Sequence, residues 1–323
     1  MTTDTISAPA PVEERLESAA WKRWLSIQGY GLVMRSLFPP NASPLAMRKR
    51  FERFGRTPRT KLQAKHPNLV FEDHAFGHQA MESVRAVDTP TCVVLHIHGG
   101  GHFMGSPSSY RSRTKRLSYR CNAEVFVPDY RLSPEHPAPA ALEDALDAWC
   151  EVQRLRPGAV KFVSGDSSGG GVALAMMVAL RDQGLPLPAG AILFSPWTDL
   201  TVSGASVDAN ASNDVWGARA LLEGWAPHCL GDLDPRDPRI SPVFADLGGL
   251  PPLLLLAGEY EALLDDSRRV HERALAKGVA SSLHVGPRMQ HDWPLTLPWL
   301  AESRDAWSAI AAFVEKNTKG ART

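Results

Sequence analysis

The residues with the clearest chemical potential surround Ser167. This serine stands between Gly165 and Gly169 in the spacing G-x-S-x-G, after an apolar run ending at Val163 and before a helix-forming run over 172–180. The pattern predicts a strand, a sharp turn and a helix, with the serine at the tip of the turn. The glycines are expected there because a Cβ at either position would meet neighbouring backbone in so tight a turn. Ser167 is therefore predicted to act as a nucleophile.

A serine nucleophile needs N–H donors for an oxyanion, a base for its proton and a carboxylate that orients the base. The stretch His98–Gly101 follows a predicted buried strand, and its glycines can turn backbone N–H groups into a pocket. Gly100 and Gly101 are the expected donors. The N–H of Ser168, at the start of the next helix, is the expected third. His98 itself is predicted to be a structural hydrogen-bonding group.

We expect the base to lie directly after a predicted strand, because the functional groups of an open parallel sheet collect at the carboxyl ends of its strands. His291 lies in a loop after the predicted strand 281–285. His271 falls inside a predicted helix and His284 inside a strand, so neither has that position. His291 is therefore the candidate base.

Four carboxylates follow the predicted strand 252–257 and compete for the orienting role. Asp265 and Asp266 are expected to be anions in the first turn of a helix, where the helix dipole favours them. Glu259 and Glu261 lie in the loop itself. The residues alone leave the choice between these two glutamates open.

Apolar periodicity predicts how these residues are positioned. Strands alternate with helices over 61–198 and 246–318, which indicates an α/β core with a mostly parallel sheet covered by helices on both faces. Residues 1–15 are small, polar and Pro-rich and are expected to be disordered. Two helices over 16–60 are either extra core or part of a lid. The polar segment 199–245, with a helix over 215–229, is an insertion of the kind that is usually functional.

Composition limits the partners. The chain has 323 residues, is 44% hydrophobic and carries a formal net charge of +0, so neither a nucleic acid nor an anionic membrane is expected to bind it. No apolar run has membrane-spanning length, and the first residues lack a signal-peptide pattern. The four cysteines show no metal-ligand spacing, and Cys92 and Cys150 are expected to be buried free thiols. A cytoplasmic protein fits best, and no metal-binding or nucleotide-binding motif is present.

The chain resembles the hormone-sensitive-lipase-like carboxylesterases, also called bacterial family IV esterases, from about residue 90 to 315. The resemblance rests on His98–Gly101, Asp129–Pro137, Gly165–Gly170 and the loop around His291. It implies an α/β-hydrolase fold with a helical cap made from the N-terminal helices and the 199–245 insertion. It also implies a two-step reaction through an acyl-enzyme, without a cofactor.

The resemblance further separates the two glutamates. The acid of this family precedes an x-Leu-x-Asp stretch, here Ala262–Asp265, so the orienting role is implied for Glu261. The order serine, acid, histidine is that of α/β-hydrolases. Three departures from the family pattern are Ser168 in place of the commoner alanine, glutamate in place of the commoner aspartate, and Asp292 directly after His291.

The expected substrate is a small carboxylic ester with a short or medium acyl or aryl group. Candidate pocket residues are the large aromatics Phe38, Phe103, Trp197, Trp216, Trp225 and Trp293, and for each of them a place in the hydrophobic core is the favoured alternative. A lactonase or a small-metabolite deacetylase would use the same three side chains. Less favoured alternatives are an acyltransferase and a non-catalytic ligand receptor. A receptor would not need all three of the serine, the acid and the histidine. Since many relatives dimerise through an edge strand, a homodimer is one expectation for the assembly.

Overall fold

The described part of the chain is built on one sheet of eight strands. The computed structural model describes residues 19–39, 42–216 and 218–321. The strands are β1 Val70–Phe76, β2 Gln79–Arg85, β3 Cys92–Ile97, β4 Ala123–Pro128, β5 Lys161–Asp166, β6 Ala191–Phe194, β7 Leu253–Gly258 and β8 Ser281–Gly286. Their order across the sheet is β1-β2-β4-β3-β5-β6-β7-β8.

Strand direction agrees with the sequence pattern. β1 and β2 form an antiparallel pair, β2 is antiparallel to β4, and all pairs from β3 to β8 are parallel. Every residue of β3 to β7 is buried. Strands buried on both faces require helices on both sides, which explains their continuous apolar runs. The prediction of a mostly parallel, doubly covered sheet is confirmed.

Helices supply that cover. In chain order they are α1 Ala20–Leu37, α2 Pro44–Gly55, α3 Arg59–Lys65, α4 Pro107–Cys121, α5 Ala140–Leu155, α6 Ser167–Asp182, α7 Ser206–Ala209, α8 Ala218–Leu230, α9 Leu264–Ala276, α10 Trp293–Thr296 and α11 Ala301–Gly320. α5, α6 and α9 bury apolar side chains on one face of the sheet. α4 and α11 do so on the other face.

A third hydrophobic cluster lies away from both faces of the sheet. It joins Leu37 and Phe38 at the end of α1 and Met47 of α2 with Leu221 and Trp225 of α8. The N-terminal helices and the 199–245 insertion therefore pack against each other, although about 170 residues separate them in the chain. This contact brings both segments to the same end of the molecule.

The structure departs from the sequence-based expectations in a few places. α3, α7 and α10 are too short to show a clear apolar period and were not predicted. Cys150 is exposed, not buried, because it follows the buried Trp149 on α5 and so points about 100° away from the core-facing stripe. The expected disorder of 1–15 lies outside the described residues. In the described part of the chain, no helix combines the length and apolarity that crossing a bilayer requires.

Parallel strands bring the predicted functional residues together. β3 ends just before His98, β5 ends just before Ser167, and the loops after β7 and β8 carry Glu261 and His291. Since these strands run in the same direction, all of these loops leave the same edge of the sheet.

Candidate active site

Ser167 occupies a strained turn between β5 and α6. Its φ is +52°, a left-handed conformation that is uncommon for a residue with a side chain. A Cβ at Gly165 would collide with the backbone of Gly169, and one at Gly169 would collide with the carbonyl oxygens of Ile97 and His98. The predicted steric reason for both glycines is confirmed.

The glycine loop after β3 passes beside this serine. Gly100 and Gly101 have φ values of +122° and +63°, and both line a cavity with Ser167. The Tyr130 hydroxyl donates a hydrogen bond to the carbonyl of His98 at 2.7 Å, and the two rings stack with centroids 4.3 Å apart. Among the described residues, no protein acceptor takes up the N–H of Gly100 or Gly101. The loop is thus held by its first residue and keeps its glycine donors available.

Ser168 ties this loop to the nucleophile turn. Its hydroxyl accepts a hydrogen bond from the backbone N–H of His102 at 3.0 Å. An alanine at this position would leave that N–H without this partner. The serine therefore adds a contact through its side chain while its own N–H stays at the start of α6.

His291 lies in the turn after β8 and lines the same two cavities as Ser167. Its Nδ1 is 3.9 Å from Oε2 of Glu261. The Trp216 ring stands edge-on to the imidazole with centroids 5.2 Å apart, and the Tyr30 hydroxyl donates to the His291 carbonyl at 3.3 Å. Burial lowers the pKa of His291 to about 4, so the imidazole is neutral at ordinary pH, as a base must be.

Glu261 is fully buried in the turn after β7. Its Oε2 accepts hydrogen bonds from Oγ of Ser195 at 2.8 Å and from the N–H of Gly258 at 3.0 Å. Burial raises the pKa of Glu261 to about 8, and these two hydrogen bonds favour the ionised form and oppose the shift. Glu259 is exposed and accepts from the N–H of Arg288 at 2.7 Å. Of the two loop glutamates, Glu261 is the one beside the imidazole.

Ser195 connects the carboxylate to the histidine loop. It follows β6 with a φ of +40°, and its hydroxyl donates to Glu261 while accepting from the N–H of Asp292 at 3.0 Å. The sequence-based predictions did not include this residue. Its signal was a polar side chain after the carboxyl end of a strand, the same signal that pointed to His291.

A second carboxyl group lies beside the other nitrogen of the imidazole. Oδ2 of Asp292 is 3.4 Å from Nε2 of His291, and the Asp292 carboxyl is within hydrogen-bonding reach of Asp166. Burial, followed by the charges of Asp166 and Glu261, raises the pKa of Asp292 well above its ordinary value. Since two carboxyl groups at hydrogen-bonding distance share a proton, the protonated form is favoured on Asp292.

Asp166 carries the charge of this carboxyl pair. Its carboxylate accepts hydrogen bonds from the Gly99 N–H at 3.0 Å and from the Tyr110 hydroxyl at 2.7 Å. Burial works against the charge, but His96, Arg113 and Tyr110 outweigh it and lower the pKa of Asp166. The pKa values of the two buried carboxyl groups are thus shifted in opposite directions, down for Asp166 and up for Asp292.

Two small cavities share Ser167 and His291 in their walls. The first, of about 30 Å³, is lined mainly by apolar side chains, among them Leu221 and Leu222 of the insertion. The second, of about 50 Å³, is lined by the glycine loop and also by the charged Arg113 and the carboxyl pair. Both are of the size that a few small atoms fill.

The predicted pocket aromatics fall into two groups. Phe38, Trp197, Trp216 and Trp225 line one or both cavities. Phe103 is fully buried behind Trp225, with ring centroids 5.0 Å apart. Trp293 is fully buried in the hydrophobic cluster that includes α4 and α11.

Side chains of the insertion also hold the acid loop. Nδ2 of Asn210 donates to the carbonyls of Glu259 and Glu261, at 2.9 Å in each case. Oδ2 of Asp214 accepts from the N–H of Ala262 at 2.9 Å. These contacts join residues about 50 positions apart. The sequence offered no local signal for them.

Within the described ranges, no group of three or more His, Cys, Asp or Glu side chains is arranged to hold a metal ion.

Comparison with protein families gives one match over most of this region. A model described as "alpha/beta hydrolase fold" matches residues 94–295. That segment contains the glycine loop, the nucleophile turn, the insertion and the loops of Glu261 and His291.

Individual relatives point the same way. An acetyl-hydrolase from Streptomyces hygroscopicus is 40% identical over 75% of this chain and 81% of its own length. An esterase from Acinetobacter venetianus is 32% identical over 91% of this chain and 96% of its own. The crystal structure of an esterase from the bacterial hormone-sensitive lipase family superimposes with a TM-score of 0.82 at 32% identity, covering 91% of this chain and 98% of that one.

Proposed function

Since this chain belongs to the hormone-sensitive-lipase-like esterases of the α/β-hydrolase fold, we propose that it hydrolyses small carboxylic esters with Ser167 as the nucleophile. The chain is a carboxylesterase, and the assignment of its residues is our proposal. The observation that carries this assignment is which residues surround His291. Its imidazole shares two cavities with Ser167 and lies 3.9 Å from Glu261 on its other side.

The reaction has two steps. His291 takes the proton of Ser167 through Nε2 as Oγ attacks the ester carbonyl, and the alcohol leaves with that proton. Water then attacks the acyl-enzyme, again with His291 as base, and the acid is released. In its ionised form, which the hydrogen bonds from Ser195 and Gly258 favour, Glu261 holds the imidazole proton on Nδ1 and stabilises the imidazolium that forms. Ser195 and the Gly258 N–H keep the carboxylate in place.

The oxyanion of both tetrahedral intermediates is bound by backbone N–H groups of Gly100, Gly101 and Ser168. The available N–H groups of the two glycines support this role. So does the tie between Ser168 and His102, which fixes the loop against the helix that starts at Ser167. Removal of one such donor typically costs about 3 kcal/mol of transition-state stabilisation.

The helices of 16–60 and the insertion 199–245 form a cap over the core 61–198 and 246–318. Support comes from their shared hydrophobic cluster and from side chains of both segments in the cavity walls. Because the cavities beside Ser167 are small, the acyl group is short. The relative named an acetyl-hydrolase favours a small-metabolite deacetylase as a second candidate within the same chemistry.

A panel of p-nitrophenyl esters of graded acyl length, run beside γ-butyrolactone and an acetylated amine, tests this proposal. We expect the highest kcat/KM for the acetyl or butyryl ester, and slower turnover of the lactone and the amide. Preference for the lactone would replace the esterase assignment by a lactonase. Absence of any hydrolysis would favour the ligand-receptor alternative, and acyl transfer to added alcohols in preference to water would favour an acyltransferase.

Two further expectations concern the setting of this enzyme. We propose that it acts in the cytoplasm, where its cysteines remain reduced thiols. A homodimer through an edge strand stays a prediction. β8 is one of the two edge strands of the sheet and could form such an interface. Size-exclusion chromatography with light scattering measures the assembly.

A further inference from the structure

A second concave site lies away from the cavities of Ser167. Its polar walls come from α3, the turn after it and α4, and we call it the basic groove. It is formed by Lys65, His66, Lys115, Arg116, Tyr119 and Arg120. Its volume is about 570 Å³, within the range of small-molecule sites. None of these residues lines the active-site cavities.

The basic groove holds four cations without compensating anions. No carboxylate lines it, and within the described ranges none of Lys65, Lys115, Arg116 and Arg120 forms an ion pair with an acidic side chain. Because the whole chain has a formal net charge of +0, four cations in one groove are a local excess of positive charge. It was invisible in the linear sequence because α3 and α4 lie about 50 residues apart.

Neighbouring arginines show that the chain pairs its cations elsewhere. Arg111, one turn earlier on α4, donates to Oε2 of Glu82 at 2.6 Å. Arg59, at the start of α3, donates to the same oxygen at 2.6 Å and also contacts Asp73. The same two helices thus carry fully paired arginines at one end and unpaired cations at the other.

The cations of the groove destabilise one another. Burial, and then the charges of Arg116 and Lys65, lower the pKa of Lys115. Burial, and then Arg113 and Arg120, lower the pKa of Arg116 to about 10. An anion in the groove would relieve this repulsion, because an opposite charge favours the protonated form.

Most hydrogen-bond donors of the groove remain available. Nζ of Lys115 contacts Nε2 of His66 at 2.9 Å, and Nη1 of Arg116 donates to the Leu295 carbonyl at 3.3 Å. An ammonium has three donor hydrogens and a guanidinium has five. Among the described residues, protein acceptors therefore occupy only a minority of them.

We propose that the basic groove binds a phosphate-bearing anion. Four positive charges match a multiply charged group better than a single carboxylate, and guanidinium and ammonium donors suit phosphate oxygens. Tyr119, with 68% of its side chain exposed, stands at the groove and offers an aromatic surface to the organic part of the ligand. The phosphate belongs either to a free small molecule or to a lipid headgroup, and the test separates these sources.

The test uses the full-length enzyme and a double variant, Lys65→Gln with Arg120→Gln. Both side chains are exposed and lie outside the active site, so the variant should fold and hydrolyse p-nitrophenyl acetate at the wild-type rate. The matched control, Lys49→Gln with Arg50→Gln, removes the same charge from exposed positions of α2. Binding of inorganic pyrophosphate is measured by calorimetry at 0.15 M salt. Binding to phosphatidylcholine vesicles with and without phosphatidylglycerol is measured by sedimentation.

We expect saturable binding in one arm, weakened by about tenfold or more in the groove variant and by less than about twofold in the control. Pyrophosphate binding identifies a free phosphorylated ligand. Binding only to phosphatidylglycerol vesicles identifies a lipid headgroup. The proposal is overturned if wild type binds neither probe, or if both variants lose binding equally, since that would be a general charge effect. Because hydrolysis is measured separately, this result does not bear on the esterase assignment.

Discussion

Oδ2 of Asp292 lies 3.4 Å from Nε2 of His291, the nitrogen that would accept the proton of Ser167 in the proposed mechanism. A neutral carboxyl leaves that nitrogen able to act as a base. An ionised one would accept an N–H from it and favour the tautomer with the proton on Nε2, which cannot take the serine proton. In the proposed mechanism the negative charge of Asp166 would assist catalysis indirectly, because it adds to the burial that raises the pKa of Asp292.

The Asp292→Asn variant tests this relationship through its pH profile. Asparagine has the same shape but cannot ionise, so we expect kcat near neutral pH to stay within about threefold of wild type. As pH rises through the elevated pKa of Asp292, wild type should lose turnover while the variant keeps it. An identical alkaline limb in both proteins would contradict this role for Asp292.

The same substitution should change the pH dependence of stability. The pKa of Asp292 is higher in the folded state than in the unfolded chain, so the folded state binds the extra proton and loses stability as pH rises above the unfolded value. Asparagine removes that loss. The difference in Tm between variant and wild type should therefore grow in favour of the variant as pH rises above the unfolded-state pKa of about 4, as measured by thermal unfolding.

Gly169→Ala tests the geometry of the nucleophile turn. The new Cβ would collide with the carbonyl oxygens of Ile97 and His98, so we expect a loss of about 1–3 kcal/mol or more in the free energy of unfolding, together with most of the activity. Gly224→Ala is the matched control, because a Cβ there has nothing within 4 Å and lies inside α8. It should stabilise the protein by about 0.5–1 kcal/mol. Urea unfolding of both variants measures the contrast, and equal effects would contradict it.

Glu261→Gln and Glu259→Gln decide which glutamate orients the base. Replacing the carboxyl beside Nδ1 of His291 by an amide, which cannot ionise, should lower kcat by about 10²–10⁴-fold. Glu259 is exposed and bonded to the Arg288 N–H, so its variant should stay within about twofold of wild type. Steady-state kinetics on p-nitrophenyl acetate compare the two. Loss of turnover in Glu259→Gln alone would move the role to that residue.

Leu222→Ala tests the size limit on the acyl group. Leu222 lines the apolar cavity beside Ser167, so its truncation should raise kcat/KM for the octanoyl ester relative to the acetyl ester by about tenfold or more. Leu200→Ala is the control, because Leu200 is buried in the same hydrophobic cluster but lines neither cavity. An equal shift in chain-length preference for both variants would show that loosening of the cluster, and not the cavity wall, sets the preference.

Much of the fold followed from the sequence because the central strands, β3 to β7, are buried on both faces and their apolar runs are continuous. The candidate nucleophile, acid and base followed because each lies in the turn or loop at the carboxyl end of a predicted strand. The acid needed more than this rule, since Glu259 and Glu261 lie two residues apart in one loop and only the fold shows which is buried.

The residues that hold these groups were harder to predict. Tyr30 reaches the His291 carbonyl from the first helix, and Asn210 reaches the Glu261 carbonyl from the insertion. Such contacts depend on how distant segments pack, which no local pattern encodes. The placement of Trp293 shows the same limit. The residues alone left both a pocket wall and the core open for it, and its ring is fully buried in the core.

The most direct test of the central assignment is the hydrolysis of p-nitrophenyl acetate by Ser167→Ala, measured beside Ser168→Ala. The first variant should fold, as judged by circular dichroism and Tm, and should lose about 10⁴-fold or more in kcat. The second removes only the hydroxyl that accepts the His102 N–H and should retain activity within about tenfold of wild type. A folded Ser167→Ala protein that still hydrolyses the ester at a rate near that of wild type would contradict the account.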